Sequence, residues 1–321
     1  MLTRNLPLLI SIVALIIVLG FVRYYRNQLN ELVQQSQQDA SIQDGTLSPS
    51  EFNGSIPQYY AISYDLPPNL NFAGEHVPIE IPDVLERLDR ELQINIYLHS
   101  STIFLIKRAN RWLPQMEEIL RKHNIPDDFK YLPLIESGLL NDISPKEAVG
   151  FWQILKTSGR ELGLEIDKEV DERYDPLKAT EAACEYLNNA YKKFGNWTLV
   201  AASYNRGIAG VARALEKQQV DSFYDLHLVE ETSRYVFRII AIKEIVENPV
   251  KYGFNINPKH LYQPEKLRYV EVKETIPNLI DFSKQQGVNY KLLKRYNPWL
   301  RDDRLTVKRG KVYQVALPVS N

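Results

Sequence analysis

The chain has 321 residues, 44% of them apolar, 11% aromatic and 25% charged, enough for one or two domains with a real core. Lys and Arg total 39 against 40 Asp and Glu, so no basic field draws the molecule to nucleic acid, and whatever it binds is recognised locally. One cysteine, Cys184, excludes an internal disulfide, a Cys-based zinc cluster and a relay between two thiols.

Residues 6–22, LPLLISIVALIIVLGFV, run for 17 positions without a charge, the short end of what spans a bilayer at about 1.5 Å per residue. LGFVRYYR supplies no small-residue cleavage site and no cysteine follows for a lipid anchor, so 1–26 reads as an uncleaved single-span transmembrane anchor. Arg4 stands on one side and Arg23 and Arg26 on the other, which leaves the orientation open. Residues 27–81 are rich in Gln, Ser and Asp and lose all periodicity, the texture of a flexible tether with little fixed structure before Ile81.

From Pro82 a helical period takes over, predicting helices over 83–98, 101–122, 127–137, 153–163, 176–194, 197–204, 208–218 and 231–248. The clearest has Asp175 as N-cap, Pro176 in the first turn and Gly195 as stop, with Ala179, Ala182, Ala183, Tyr186, Leu187, Ala190, Tyr191 and Phe194 on one apolar face. Cys184 lies within it and reads as a small packed residue rather than a nucleophile. Residues 82–250 thus form a helical domain. Past Pro249 the texture changes: LRYVEV, two short helical patterns and VYQVAL make 267–318 a small β-α-α-β module. No phosphate-binding glycine loop is present.

Within YLPLIESG, residues 131–138, Glu136 stands where a short apolar helix runs out. Such a glutamate is either a solvated surface group or an acid kept protonated by desolvation and by the carbonyl end of the helix dipole. Pro133 complicates the segment, since it removes a backbone donor and either kinks the helix or shifts its start. Asp142, six residues on, is a surface loop group or a second carboxylate.

IESG at 135–138, GFWQ at 150–153, SYNRG at 203–207 and ETSRYV at 231–236, with DERYDPLKATEAACEYLNNAYKKFGNW between, resemble in this order the catalytic domain of lytic murein transglycosylases of the soluble-Slt and membrane-bound-D type, in glycoside hydrolase family twenty-three. The likeness covers roughly residues 100–250. It implies a lysozyme-like α fold that cleaves the β-1,4 bond between N-acetylmuramic acid and N-acetylglucosamine in peptidoglycan and closes a 1,6-anhydro ring. A second catalytic carboxylate is absent from that family, and the substrate's own 2-acetamido group assists.

Residue by residue, the resemblance makes Glu136 the catalytic acid and then base, with Ser137 helping to hold glycan or acid. Gly150 would allow close backbone approach, Trp152 would be a flat wall for a sugar or plain core, and Gln153 would hydrogen-bond the glycan or Glu136. Tyr204 and Asn205 would orient the acetamido group, Ser203 replacing the family's common alanine and Gly207 permitting the turn. Tyr235 would point its hydroxyl at the catalytic acid, with Glu231 and Arg234 as structural partners. GVNYKLLKRYNPWL resembles a LysM glycan-binding unit, with Lys273-Glu274-Thr275-Ile276 in place of the usual G-D-T-L turn; the module is then a glycan binder or a structural appendage.

The expectation is a mainly α protein: a lysozyme-like helical catalytic domain at 82–250, a LysM-like α+β module at 267–318 and an N-terminal transmembrane helix. It would act on peptidoglycan glycan strands from the membrane, its bulk in the periplasm or cell-wall space and its N-terminus in the cytoplasm. No metal or organic cofactor and no nucleic acid is implied, and cell-wall synthesis or division proteins form an open class of further partners. The alternatives are a hydrolytic muramidase of the same fold, aided by Asp142 or another acid, and a non-catalytic wall-binding protein.

Overall fold

The computed structural model describes residues 61–319 and the pair 26–27; the anchor expected at 6–22 and most of the tether lie outside the described residues. Among the described residues no helix is long and apolar enough to cross a membrane. From Ile62 onward the chain packs as one unit.

The tether reading ends too late. Residues Asn71–Phe72 (β1) and Glu75–His76 (β2) pair as a small antiparallel hairpin, and Leu70, Phe72 and Val77 are buried. The ring of Phe72 meets that of Phe129 at 5.3 Å between centroids. Three isolated apolar residues give no period to detect, yet each fills a hole in a distant surface. Glu75 does more: its carboxylate accepts from the backbone nitrogens of Trp197 at 2.5 Å and Thr198 at 2.9 Å, and from the Thr198 hydroxyl at 2.6 Å. It thereby satisfies open donors at the start of a helix 122 residues away.

The helices follow the periodic reading closely. Helix α1 (Pro82–Tyr97) buries Val84, Leu88, Leu92 and Ile96, a stripe at spacing four, and helix α2 (His99–Lys122) follows after a break at Leu98. The stretch expected as one helix over 127–137 is divided: a 3₁₀ turn, Asp127–Tyr131, leads into α3, Leu132–Ser137. Pro133 sits in the first turn of α3, where its missing N–H has no helical partner to lose, so it starts the helix rather than bending it. The helix expected over 153–163 shortens to α4, Lys156–Glu161, because Ile154 is held extended by exchanging backbone hydrogen bonds with Val149.

Helix α5 (Pro176–Phe194) has the expected caps: Asp175 accepts from the nitrogens of Leu177 and Lys178, and Gly195 closes it in the left-handed region at φ 62°. Cys184 is fully buried in it, and burial pushes its thiol up to about 12, an inert packed thiol at ordinary pH. Helices α6 (Trp197–Arg206) and α7 (Ile208–Gln218) lead to α8 (Glu230–Glu247). Helix α8 buries residues on nearly every side, among them Tyr235, Val236, Ile239, Ile240, Ala241, Ile242 and Ile245. It is a central helix against which α1, α3 and α6 pack.

The C-terminal part is a strand-bearing module. Strands β3 (Leu267–Val272) and β4 (Tyr313–Pro318) pair antiparallel from Leu267↔Pro318 to Val272↔Tyr313, and carry α9 (Leu279–Gln285) and α10 (Tyr290–Tyr296) between them. Asn278 and Asn289 cap these two helices. The fold is therefore mainly helical with a small C-terminal strand module. The core of that module is not wholly its own: Val149, Val170 and Tyr174 are packed into it beside Ile276, Leu293, Leu300, Leu305 and Val315.

Candidate active site

Helix α3 is only six residues long, and Glu136 is its penultimate residue. Gly138, at φ 61°, ends it in the left-handed conformation and donates its N–H to the Leu134 carbonyl at 3.1 Å. The freed carbonyls at this end find cations. Arg108 Nε donates to the Gly138 carbonyl at 2.6 Å, and Arg238 Nη2 to that of Ile135 at 3.0 Å. A short helix with two guanidiniums on its last carbonyls offers a carboxylate little dipole repulsion, so the dipole expected to oppose ionisation is largely offset.

Burial does the work instead. Glu136 is half-buried as a residue, and loss of hydration at its carboxyl is the leading cause of a raised pKa. The hydrogen bond from Tyr235 and the charge of Arg238 act downward, Glu231 acts upward, and desolvation prevails. The Tyr235 hydroxyl, on fully buried ground in α8, donates to Glu136 Oε1. Burial and then the Glu136 charge hold the Tyr235 phenol well above its ordinary range, so it remains a donor. Burial does the same for Tyr204.

Around this pair the expected residues fall into two groups. Asn205 faces the start of α8: Thr232 Oγ1 donates to its Oδ1 at 2.8 Å, and its Nδ2 donates to Glu231 Oε1 at 3.3 Å. The amide is thus oriented with one N–H and one lone pair left to offer. Arg234, expected as a structural partner, grips the buried Glu91 through Nε and Nη2. Ser137 Oγ donates to the carbonyls of Phe151 at 2.9 Å and Pro133 at 3.2 Å, which ties α3 to the loop that carries GFWQ.

That loop is built for close packing. Gly150 has φ 78°, and a Cβ there would lie 2.1 Å from the Arg173 carbonyl oxygen. The close approach expected at this glycine is made by the protein's own backbone. Trp152, one of the largest fully buried side chains, donates Nε1 to Thr180 Oγ1 at 2.8 Å, and its carbonyl accepts from the Tyr204 hydroxyl at 2.8 Å. The reading of Trp152 as a sugar wall is corrected: an indole with no exposed surface has no face to give a ligand, and its role is to seat Tyr204. Gln153, at φ 48°, donates Nε2 to the carbonyls of Gly150 at 2.8 Å and Asp142 at 3.1 Å. Its amide hydrogens go to the backbone rather than to Glu136, and its Oε1 is left as an acceptor. Asp142 is exposed.

Sequence reasoning missed three arginines. Arg238 had a signal, since it follows Tyr235 by three positions and so shares its helix face. Arg108 had none, because its partner is a non-local carbonyl, and Arg173 had only half of one: Asp171 stands two residues before it, but the carbonyls it grips are distant. The buried Arg173 pairs in a fork with Asp171 at 2.9 and 2.7 Å, and Nη1 donates to the carbonyls of Glu147 and Ile154, both at 3.1 Å. No cluster of metal-ligating side chains exists among the described residues.

Residues 116–226 match the family model described as the transglycosylase SLT domain. Residues 268–321 match a second model, the soluble lytic transglycosylase C-terminal LysM-like domain. The span matched by the first model holds Glu136, Gln153, Tyr204 and Asn205, whereas Tyr235 lies just beyond it. Over 194 residues the chain is 30% identical to the membrane-bound lytic murein transglycosylase D of Escherichia coli K12, and equally to that of Escherichia coli O6:H1, covering 58% of this chain and 42% of each relative. It therefore spans less than half the length of these curated relatives. Among solved structures it is similar to an inactive mutant of the lytic transglycosylase Slt from Pseudomonas aeruginosa, with a TM-score of 0.34 and 16% identity over 48% of this chain and 26% of that one.

Proposed function

We propose that the chain is a peptidoglycan lytic transglycosylase that cleaves the β-1,4 bond between N-acetylmuramic acid and N-acetylglucosamine and releases a 1,6-anhydromuramoyl product. The observation that carries the reading is the desolvated Glu136 carboxyl, raised in pKa and fixed by the Tyr235 hydroxyl, inside an SLT domain. A carboxylic acid with a raised pKa keeps its proton to higher pH than an ordinary glutamate and can give it to the glycosidic oxygen as that bond breaks. The resulting carboxylate then takes the proton of the muramoyl 6-hydroxyl as its oxygen bonds to the anomeric carbon, so no water is consumed. Tyr235 steadies the carboxyl in both forms, and Asn205 has the free amide capacity to hold the 2-acetamido group. The exposed Asp142 is poorly placed for a buried second carboxylate, which favours ring closure over hydrolysis.

In this reading a lysozyme-like catalytic domain over 82–250 and a LysM-like module over 267–318 stand in the periplasm or cell-wall space, held by a single membrane span within 1–26 and a tether. The catalytic residue is Glu136; Ser137, Gly150, Trp152 and Gln153 act by shaping the loop, Tyr204, Asn205 and Tyr235 by facing acid and substrate. Digestion of purified sacculi with mass analysis of the muropeptides tests it. Anhydro products, lighter by one water than hydrolytic ones, are expected, and reducing muramic acid ends would replace the proposal with a muramidase.

A further inference from the structure

The C-terminal module makes an unusual junction with the rest of the chain. Val170 and Leu300 form a β-bridge; Asp171 N donates to the Trp299 carbonyl at 2.9 Å and Arg301 N to the Glu169 carbonyl at 2.7 Å. The Glu169 carboxylate accepts from Arg304 Nε and from Thr306 N, both at 2.7 Å. The Arg301 guanidinium lies 3.8 Å over the Tyr174 ring, and Glu165 accepts from Tyr313, Lys308 and Lys311. Every one of these contacts falls on one short segment, residues 165–174.

The same segment grips the GFWQ loop from its other side. Arg173 fastens the carbonyls of Glu147 and Ile154, its own carbonyl fills the space above Gly150, and the Tyr174 carbonyl accepts from Asn141 Nδ2 at 3.1 Å. From that loop, Phe151 reaches Ser137 and Trp152 reaches Tyr204. A continuous, packed path therefore runs from Leu300 through Arg173 to the residue beside Glu136.

We propose that the C-terminal module is a positioning strut of the active site: through residues 165–174 it holds the 142–154 loop, and so Glu136 and Tyr204, in working geometry. The proposal rests on the reading of Glu136 as the reacting acid. It gives the module a function that needs no glycan on its surface, and it makes Arg173 a positioning residue.

Hydrogen exchange on the full chain tests the strut without any substrate, since Val149, Gly150, Gln153 and Ile154 all donate backbone hydrogen bonds within the loop. In Leu300→Asp, and to a smaller degree in Glu169→Ala, exchange over 142–154 should rise roughly tenfold while α1 and α8 keep wild-type protection. Where Leu300→Asp unfolds the molecule globally, Glu169→Ala and Arg173→Lys decide by the same criterion. Unchanged protection over 142–154 in the folded variants overturns the proposal. Turnover of a glycan fragment too short to span both parts should lose kcat with KM within about twofold of wild type, and a change in KM alone also overturns it. A wild-type protein inert on all peptidoglycan would sink the enzymatic reading, and the exchange measurement would then decide the strut by itself.

Discussion

The carbonyl oxygen of Arg173 occupies the place of a side chain on Gly150: a Cβ built there would sit 2.1 Å away, with φ at 78°. Two penalties coincide, since an L-residue is strained in that conformation and the obstacle is backbone that cannot swing aside. Gly150→Ala should therefore destabilise the protein by about 2–4 kcal/mol and abolish muropeptide release. Chemical denaturation checks the first figure, and wild-type stability would show that the loop moves freely against Arg173.

Glu136→Gln should lower the rate of muropeptide release by a factor of roughly 10²–10⁴ while the protein still folds. The variant should also be more stable than the parent at neutral pH. The folded state holds the Glu136 proton at pH values where the unfolded chain has released it. The contribution of that group to stability is thus complete below the ordinary carboxylate range and declines as pH rises towards the raised folded value. Gln cannot ionise, so the gap between the two melting temperatures should widen from acid to neutral pH. A variant that digests sacculi at the parental rate refutes the assignment.

Tyr235→Phe removes the hydroxyl that holds Glu136 Oε1. That bond acts to lower the acid's pKa, so its loss should move the alkaline limb of the pH–rate profile upward. A hydrogen bond to an ionising group contributes ~1.5–3 kcal/mol, so kcat should fall roughly 10- to 100-fold. An unshifted limb would mean that Tyr235 packs beside Glu136 without influencing its proton.

Glu75→Ala should cost about 1–2 kcal/mol, the size of a lost helix cap, although the residue stands far from helix α6 in sequence. The acceptor of two backbone donors and one hydroxyl disappears at once. Thermal unfolding measures it, and an unchanged midpoint would show that water replaces the carboxylate at no cost.

Local signals carried most of the helical architecture and one line of the chemistry. Asp175 and Gly195 announce α5 because a cap is a property of the chain itself, legible within three residues. The approach of Tyr235 to Glu136 was readable only through resemblance, since 99 residues separate them. Trp152 was ambiguous because an indole has the same composition on a wall or in a core, and only the neighbours decide. The hairpin at 71–76, the grip of Arg173 on the carbonyls of Glu147 and Ile154 and the docking of the last strands depend on distant surfaces, and no periodicity encodes a partner's position. Pro133 was the instructive case: of the two readings, a kink or a shifted start, the second holds, and it lies in the first turn of the helix that ends on the acid.

Val170 lies among the side chains of the final module, which bears on how such a protein is inherited. A C-terminal unit with a self-sufficient interior can be traded between genes as a cassette. One whose interior needs a valine and a tyrosine from the preceding hundred residues cannot, because a foreign replacement would leave Val170 and Tyr174 facing water. Substitutions on the two sides of residues 165–174 are therefore coupled through one shared interior, and a chimera spliced near residue 255 should fold only when its donor supplies matching apolar partners at that face.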